Sequence, residues 1–444
     1  MTGAGQESKA SAGYLVNCAC GAEGHPSNTG DRTPSLEMPD FDLEVQLSRP
    51  YVPVGAGETV DILLKVSAAA SATPLRNPVA LCLVIDRSKS MRGPPMEAAK
   101  AAALSVVESL APEDLLAVVG FGDKSELLLA PEKAGTKAKA REAIDRLTPA
   151  GNTPLYAAVQ TAVQTLQPLQ GVIPRAVVLT DGYPTDVKDA AQYRALADWS
   201  FRNGVPIATV GFGQYNDTIL RALADVGGWW QHARGLQDLG RAFSEELGRA
   251  RATVLRRPVL WLRFLPGAVL LEAHMARPVP RPLAAQGTGP NAPLPIPDLV
   301  LRESQEYLLR VRLPPAERPG VLELGQIALG THTGEVLRRG EIHVDVTRDA
   351  ELSGHTVARP TAVYNLTVAL EKGTMALERG DRALARQARE EARTILKNPR
   401  LREALNPEEA GKTRAVLQSS GAVADGGPVD AREAVAKMRR GESG

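Results

Sequence analysis

Seven consecutive apolar residues, Val79, Ala80, Leu81, Cys82, Leu83, Val84 and Ile85, run directly into an acid, Asp86. A strand that is apolar on both faces is buried on both faces, the condition of a parallel strand covered by helices, with chemistry at its carboxyl end. Parallel neighbours need crossovers, so the flanking sequence must alternate strand and helix. It does. Strands are expected at 80–86, 115–122, 175–181 and 206–213, and helices at 96–110, 136–147, 155–166, 189–203 and 218–226. Such alternation predicts an α/β, doubly wound, mostly parallel sheet. Residues 229–233 read as its last strand and 236–254 as its closing helix. Cys82, inside the strand, reads as a small buried hydrophobe.

Asp86, Ser88 and Ser90 alternate after the strand, so three oxygen-bearing side chains can converge above it. A carboxylate and two hydroxyls are hard donors suited to Mg²⁺ or Mn²⁺. A plain capping turn explains one serine but not an acid at a strand end. Asp181 ends a second apolar strand, and Thr153 lies in a Pro/Gly loop that enters a helix. Ligands of open α/β sheets bind beyond the carboxyl ends of the strands, where the strand order switches. Asp86, Thr153 and Asp181 are therefore expected on one edge of the sheet, with Asp86 facing solvent.

Asp86-x-Ser88-x-Ser90 followed by Met91, then Gly151-Asn152-Thr153-Pro154, then Leu179-Thr180-Asp181-Gly182, occur in that order. Together they resemble the three signatures of the metal-ion-dependent adhesion site of von Willebrand factor A (VWA) domains, over roughly residues 77–254. The resemblance implies a protein-interaction module, not an enzyme. It implies Ser88, Ser90 and Thr153 as direct ligands of Mg²⁺, with Mn²⁺ or Ca²⁺ as alternatives, and Asp86 and Asp181 acting through bound water. It leaves one position for a partner's Asp or Glu, and it makes 126–130 an antiparallel edge strand. Bacterial proteins of this kind are often found with ATPases, kinases or stress and defence systems.

The rival classes are a Mg²⁺-dependent hydrolase or phosphatase and a metal-independent scaffold. A dehalogenase-type phosphatase needs an acid two residues after its nucleophilic Asp, where this chain has Ser88. No phosphate-binding Gly-x-x-x-x-Gly-Lys-Ser/Thr loop occurs. The six histidines are scattered.

With 444 residues, two or three domains are expected. Residues 1–40, rich in Gly, Ser, Pro and Asn, read as a flexible arm. Cys18, Cys20 and His25 within it could supply three zinc ligands, but exposed thiols are the favoured reading. Phe41, Leu43, Val45 and Leu47 alternate with polar residues, which predicts a half-buried strand, and 58–67 predicts another, with turns between. After 254 further strands are expected at 258–264, 269–274, 306–313, 321–329 and 335–346, with a mobile Pro-rich loop at 278–297. Residues 41–76 and 255–349 are thus expected to form one discontinuous antiparallel β-sandwich, with the VWA domain of 77–254 inserted after its second strand. The region 350–444 is expected to hold a helical hairpin, 360–379 and 382–397, with short helices at 408–417 and 431–438. A net charge of +1 argues against a nucleic-acid or membrane-surface role. Three cysteines and the lack of an apolar leader make a cytoplasmic location the expectation.

Overall fold

The computed structural model describes residues 41–349 apart from 136, 214, 225, 234, 278–280 and 284–292, together with 366, 369, 373, 376 and 382–397. Cys18, Cys20 and His25, and the helices expected at 408–417 and 431–438, lie outside the described residues.

The chain enters through β1 (Phe41–Leu47), β2 (Tyr51–Pro53) and β3 (Thr59–Ala68). Phe41, Leu43 and Val45 are buried and Asp42 and Glu44 exposed, as a period of two requires. β1 and β3 pair antiparallel from Phe41 opposite Ala68 to Leu47 opposite Ile62. The turns expected between them include β2, whose three residues are too few to show a period.

A six-stranded sheet follows, built from β4 (Val79–Asp86), β5 (Leu115–Phe121), β6 (Ser125–Lys133), β7 (Ile173–Thr180), β8 (Ile207–Gly211) and β9 (Trp229–His232). Its order is β6-β5-β4-β7-β8-β9, parallel throughout except for β6, the antiparallel edge. The helices are α1 (Pro94–Ser109), α2 (Lys137–Asp145), α3 (Leu155–Leu166), α4 (Ala190–Arg202), α5 (Asp217–Ala224) and α6 (Leu239–Arg251). All eight residues of β4 are buried. Leu81, Leu83 and Ile85 join the core shared with α1, α2 and α6. Ala80, Cys82 and Val84 join the one shared with α3, α4 and α5. Burial pushes the Cys82 thiol up to about 12, so it stays a neutral packing group. Strand order reverses between β4 and β7: from β4 the chain proceeds to β5 on one side, and from β7 to β8 on the other. The crevice beyond their carboxyl ends is the switch point of a doubly wound sheet.

The closing helix stops at Arg251, earlier than expected. The β-branched Thr253 and Val254 extend into β10 (Thr253–Leu255) instead, a strand-favouring pair of residues. Then come β11 (Val259–Phe264), β12 (Val269–Arg277), β13 (Arg281–Pro282), β14 (Pro293–Pro295), β15 (Leu299–Val300), β16 (Ser304–Arg312), β17 (Gly320–Gly330) and β18 (Val336–Thr347). β10 pairs with β15. The others complete two five-stranded sheets, β1-β3-β16-β12-β13 and β14-β11-β17-β18-β2. Val60, Ile62, Leu64, Tyr307 and Leu309 of one sheet share a core with Leu260, Leu262, Ile327 and Ile342 of the other, which makes a sandwich. Three of its strands precede β4, not the expected two, because β2 crosses to the second sheet and pairs in parallel with β18. Part of the Pro-rich stretch is also strand. β14 lies at a sheet edge, where a missing proline N–H breaks no ladder.

α7 (Arg382–Leu396) buries Ala385, Ala388 and Ala392 along one stripe. Residues 366, 369, 373 and 376 are helical, and a Cβ on Gly373 would stand 3.5 Å from that of Ala388, so two helices approach closely there. The rest of the first arm lies outside the described residues. The guanidinium of Arg310 on β16 is raised first by its hydrogen bond to Asp61, with Glu272 and Glu391 of α7 adding to the field. No helix among the described residues is long and apolar enough to cross a membrane.

Candidate metal centre

Asp86 closes β4 and is fully buried, not solvent-facing as expected. The reason is local: its Oδ1 accepts from the Ser88 backbone N–H at 2.7 Å, and its Oδ2 accepts from the Thr180 hydroxyl at 2.5 Å. Both bonds draw the carboxylate back over the strand ends. Residues Lys89–Met91 then form a 3₁₀ turn pinned by Met91, which is 0 % exposed in the core. The turn brings Ser88 Oγ to 2.9 Å from Ser90 Oγ, and Ser90 Oγ donates to Asp181 Oδ1 at 2.7 Å. An ionised carboxylate only accepts, so Ser90 has spent its proton on Asp181 and Ser88 donates to Ser90. Asp86, Ser88, Ser90 and Asp181 thus form one hydrogen-bonded chain.

Thr153 is brought in by backbone ties. Its N–H donates to Thr185 Oγ1 at 3.1 Å, and the Thr185 N–H donates to its carbonyl at 2.9 Å. The Ala150 N–H donates to the Arg87 carbonyl at 2.7 Å, and the Lys89 N–H to the Gly151 carbonyl at 3.3 Å. The loops after β4, before α3 and after β7 are therefore stapled together. Gly151 has φ +77, and a Cβ there would sit 2.1 Å from Asp123 Oδ1, so the position admits only glycine. At Gly182 the space a Cβ would occupy is faced by Thr153 Oγ1 at 3.2 Å and Asp86 Oδ2 at 3.6 Å. All five residues expected at the site accordingly meet on the edge where strand order switches.

Two features set the electrostatics. Thr153 is 5 % exposed, yet its hydroxyl has no hydrogen-bond partner among the described residues. No Lys or Arg among the described residues pairs with Asp86 or Asp181. Burial, with a smaller push from Asp181, raises the Asp86 carboxyl to about 6 against the lowering pull of its hydrogen bonds. Burial raises Asp181 as well. Two carboxylates and three hydroxyls, one of them unpartnered and all short of positive charge, make a donor set that fits a small hard cation. Among the described residues no group of three or more His, Cys, Asp or Glu is gathered for a metal. The hydroxyls are what make this site.

Thr180 and Thr185 were not singled out by sequence reasoning. Thr180 stands inside the third signature and could have been read there as the residue orienting Asp86. Nothing near Thr185 in sequence marks its tie to Thr153.

Residues 81–183 match the family model described as the von Willebrand factor type A domain. The chain carries a VWA domain. An uncharacterised protein of Synechocystis sp. is 26% identical over 297 residues, 65% of this chain and 70% of that one. Inter-alpha-trypsin inhibitor heavy chain H1 of Sus scrofa is 30% identical over 159 residues, 32% of this chain but 18% of its own length. Among solved structures, the von Willebrand factor type A protein from Catenulispora acidiphila superposes with a TM-score of 0.70 at 21% identity, covering 86% of this chain and 90% of that one. The ArnB paralog VWA2 from Sulfolobus acidocaldarius superposes with a TM-score of 0.55 at 16% identity, covering 90% and 99%. At such identities the likeness is one of fold. Its coverage takes in sandwich strands as well as the mixed sheet. VWA domains are in general protein-interaction modules.

Proposed function

We propose that this chain is a protein-interaction module whose VWA domain engages its partner through a divalent cation, Mg²⁺ foremost, with Mn²⁺ or Ca²⁺ accepted by the same donors. The observation that carries this reading is the convergence at Gly182, where Thr153 Oγ1, without a hydrogen-bond partner among the described residues, and the Asp86 carboxylate face the same small space. Ser88, Ser90 and Thr153 would hold the cation directly, and Asp86 and Asp181 through water. Thr180 keeps the Asp86 carboxylate turned to the site, and Ser90 does the same for Asp181. When bound, a cation held by neutral hydroxyls keeps much of its charge and supplies it to an incoming Asp or Glu of another protein. The surrounding low dielectric makes that contact a strong one.

A hydrolase reading finds less support. The position where a phosphatase would keep its acid is Ser88, whose hydroxyl is turned to Ser90. His232, near the same sheet edge, is hydrogen-bonded to the Tyr215 hydroxyl at 2.7 Å.

The test is calorimetric titration of the full chain with Mg²⁺ and Mn²⁺, wild type against Thr153→Ala. One site is expected in the wild type and none in the variant. Equal affinity in the two proteins ends the assignment. Partner capture in excess EDTA equal to that in Mg²⁺ ends the metal dependence.

A further inference from the structure

We propose that Tyr183 contacts the partner beside its metal-directed carboxylate, and that the site therefore selects acidic segments in which an Asp or Glu adjoins an aliphatic or aromatic side chain. This rests on the metal-dependent reading above. Tyr183 is 61% exposed and is the one aromatic among the exposed large hydrophobic side chains of the described residues. Isolated exposed hydrophobics are ordinary on any surface; what sets Tyr183 apart is its place. It follows Asp181 and Gly182, and a Cβ on Gly182 would stand 3.2 Å from Thr153 Oγ1 and 3.6 Å from Asp86 Oδ2, so Tyr183 is exposed one residue from the donor cluster.

The segment that carries it is anchored on both sides. The Gly182 N–H donates to Thr180 Oγ1 at 3.2 Å, Pro184 is buried, and Thr185 is tied twice to Thr153. The backbone is thus fixed before a partner arrives. A tyrosine has only two rotatable side-chain angles, so it offers contact area at little entropic cost, and such residues recur as the energetic centres of interfaces. Charge decides what it accepts. Lys89 and Arg92 are exposed, flank Ser90, and form no ion pair among the described residues. A partner Lys or Arg stacking on Tyr183 would meet these two charges as well as the cation, whereas an apolar side chain meets no such repulsion.

The experiment is selection from a displayed library of random peptides on the full chain in Mg²⁺, followed by affinity measurement on the Tyr183→Ser and Tyr183→Phe variants. Tyr183 lies on the surface, so neither change disturbs the core. Enrichment of peptides with Asp or Glu next to Leu, Ile, Phe or Tyr is expected. Tyr183→Ser should weaken them about tenfold with Mg²⁺ dependence retained, and Tyr183→Phe should bind as wild type. Enriched acids without an apolar neighbour, a basic neighbour in its place, or affinities unchanged in Tyr183→Ser would overturn the proposal. Peptides held equally well in EDTA would end the metal reading alone, and their response to Tyr183→Ser would still decide the aromatic contact.

Discussion

The two ends of β7 treat buried charge in opposite ways. At its start, Arg175 is 4% exposed, with Glu246 at 5% and Asp298 at 8%. Arg175 Nε lies 3.2 Å from Glu246 Oε1, and its Nη2 donates to Asp298 Oδ2 at 3.0 Å and to Thr253 Oγ1 at 3.1 Å. Asp298 also accepts from the Arg257 N–H at 2.9 Å. This cluster joins β7 and α6 of the mixed sheet to the loop beside β15, and each carboxylate there is answered by a guanidinium. Just past the other end of β7, Asp181 stands with Asp86, and no guanidinium or ammonium among the described residues answers either. The same strand thus closes its charge at the end packed on the sandwich and leaves it open at the end facing outward. Even at the closed end Glu246 Oε2 is buried without a hydrogen-bond partner among the described residues, and burial raises that carboxyl, but its charge faces the guanidinium groups of Arg175 and Arg249, whereas the outer pair faces none.

That contrast can be broken most forcefully at the closed end. Arg175→Met leaves two buried carboxylates uncompensated and should destabilise the fold by about 3–5 kcal/mol in urea titration. If the loss is under about 1 kcal/mol, on the order of a surface pair, the cluster is no internal clamp. The next effect belongs to the open end. Mg²⁺ at ten times its Kd should stabilise the wild type by about 1.4 kcal/mol through linkage and leave Thr153→Ala unmoved, read as a Tm shift. Equal shifts in both proteins would put the cation elsewhere.

Asp86→Asn sharpens the comparison further. It removes a buried, uncompensated charge while keeping an acceptor for the Ser88 N–H, so without cation the stability should change by no more than about 1 kcal/mol. The Mg²⁺-dependent gain should vanish. A loss as large as that of Arg175→Met would show that Asp86 is structural after all. Smallest is Gly182→Ala. Its methyl would stand 3.2 Å from Thr153 Oγ1, crowding the donors, and should lower cation affinity by about fivefold, some 1 kcal/mol. Calorimetry on that variant giving wild-type affinity would move the cation away from Gly182.

The elements that were legible share one property: their pattern is local. The unbroken apolar run of β4 declared burial on both faces, and the alternation in β1 declared one wet face. The three site signatures were readable because each holds its donors within a few residues of one another. β2 and β10 were not legible, for want of length: three residues carry no period, and at 253–255 a helix running up to it masked the change. The edge position of β14 lay hidden because prolines read as loop until a partner strand is known.

For the site, residue identities were in the sequence and their surroundings were not. Asp, Ser, Ser, Thr and Asp at those spacings determined by themselves which oxygens are available and that a parallel sheet would present them at its carboxyl edge. Only the tertiary structure decided that Asp86 is buried beneath Thr180, that Thr185 staples Thr153 in place, and that Arg175 finds its partners on α6 and beside β15, 71 and 123 residues further along. The physical reason is range. Periodicity and strand-end chemistry are set by neighbours along the chain, whereas burial, desolvation and charge compensation depend on which distant segments fill the space, which no local pattern encodes.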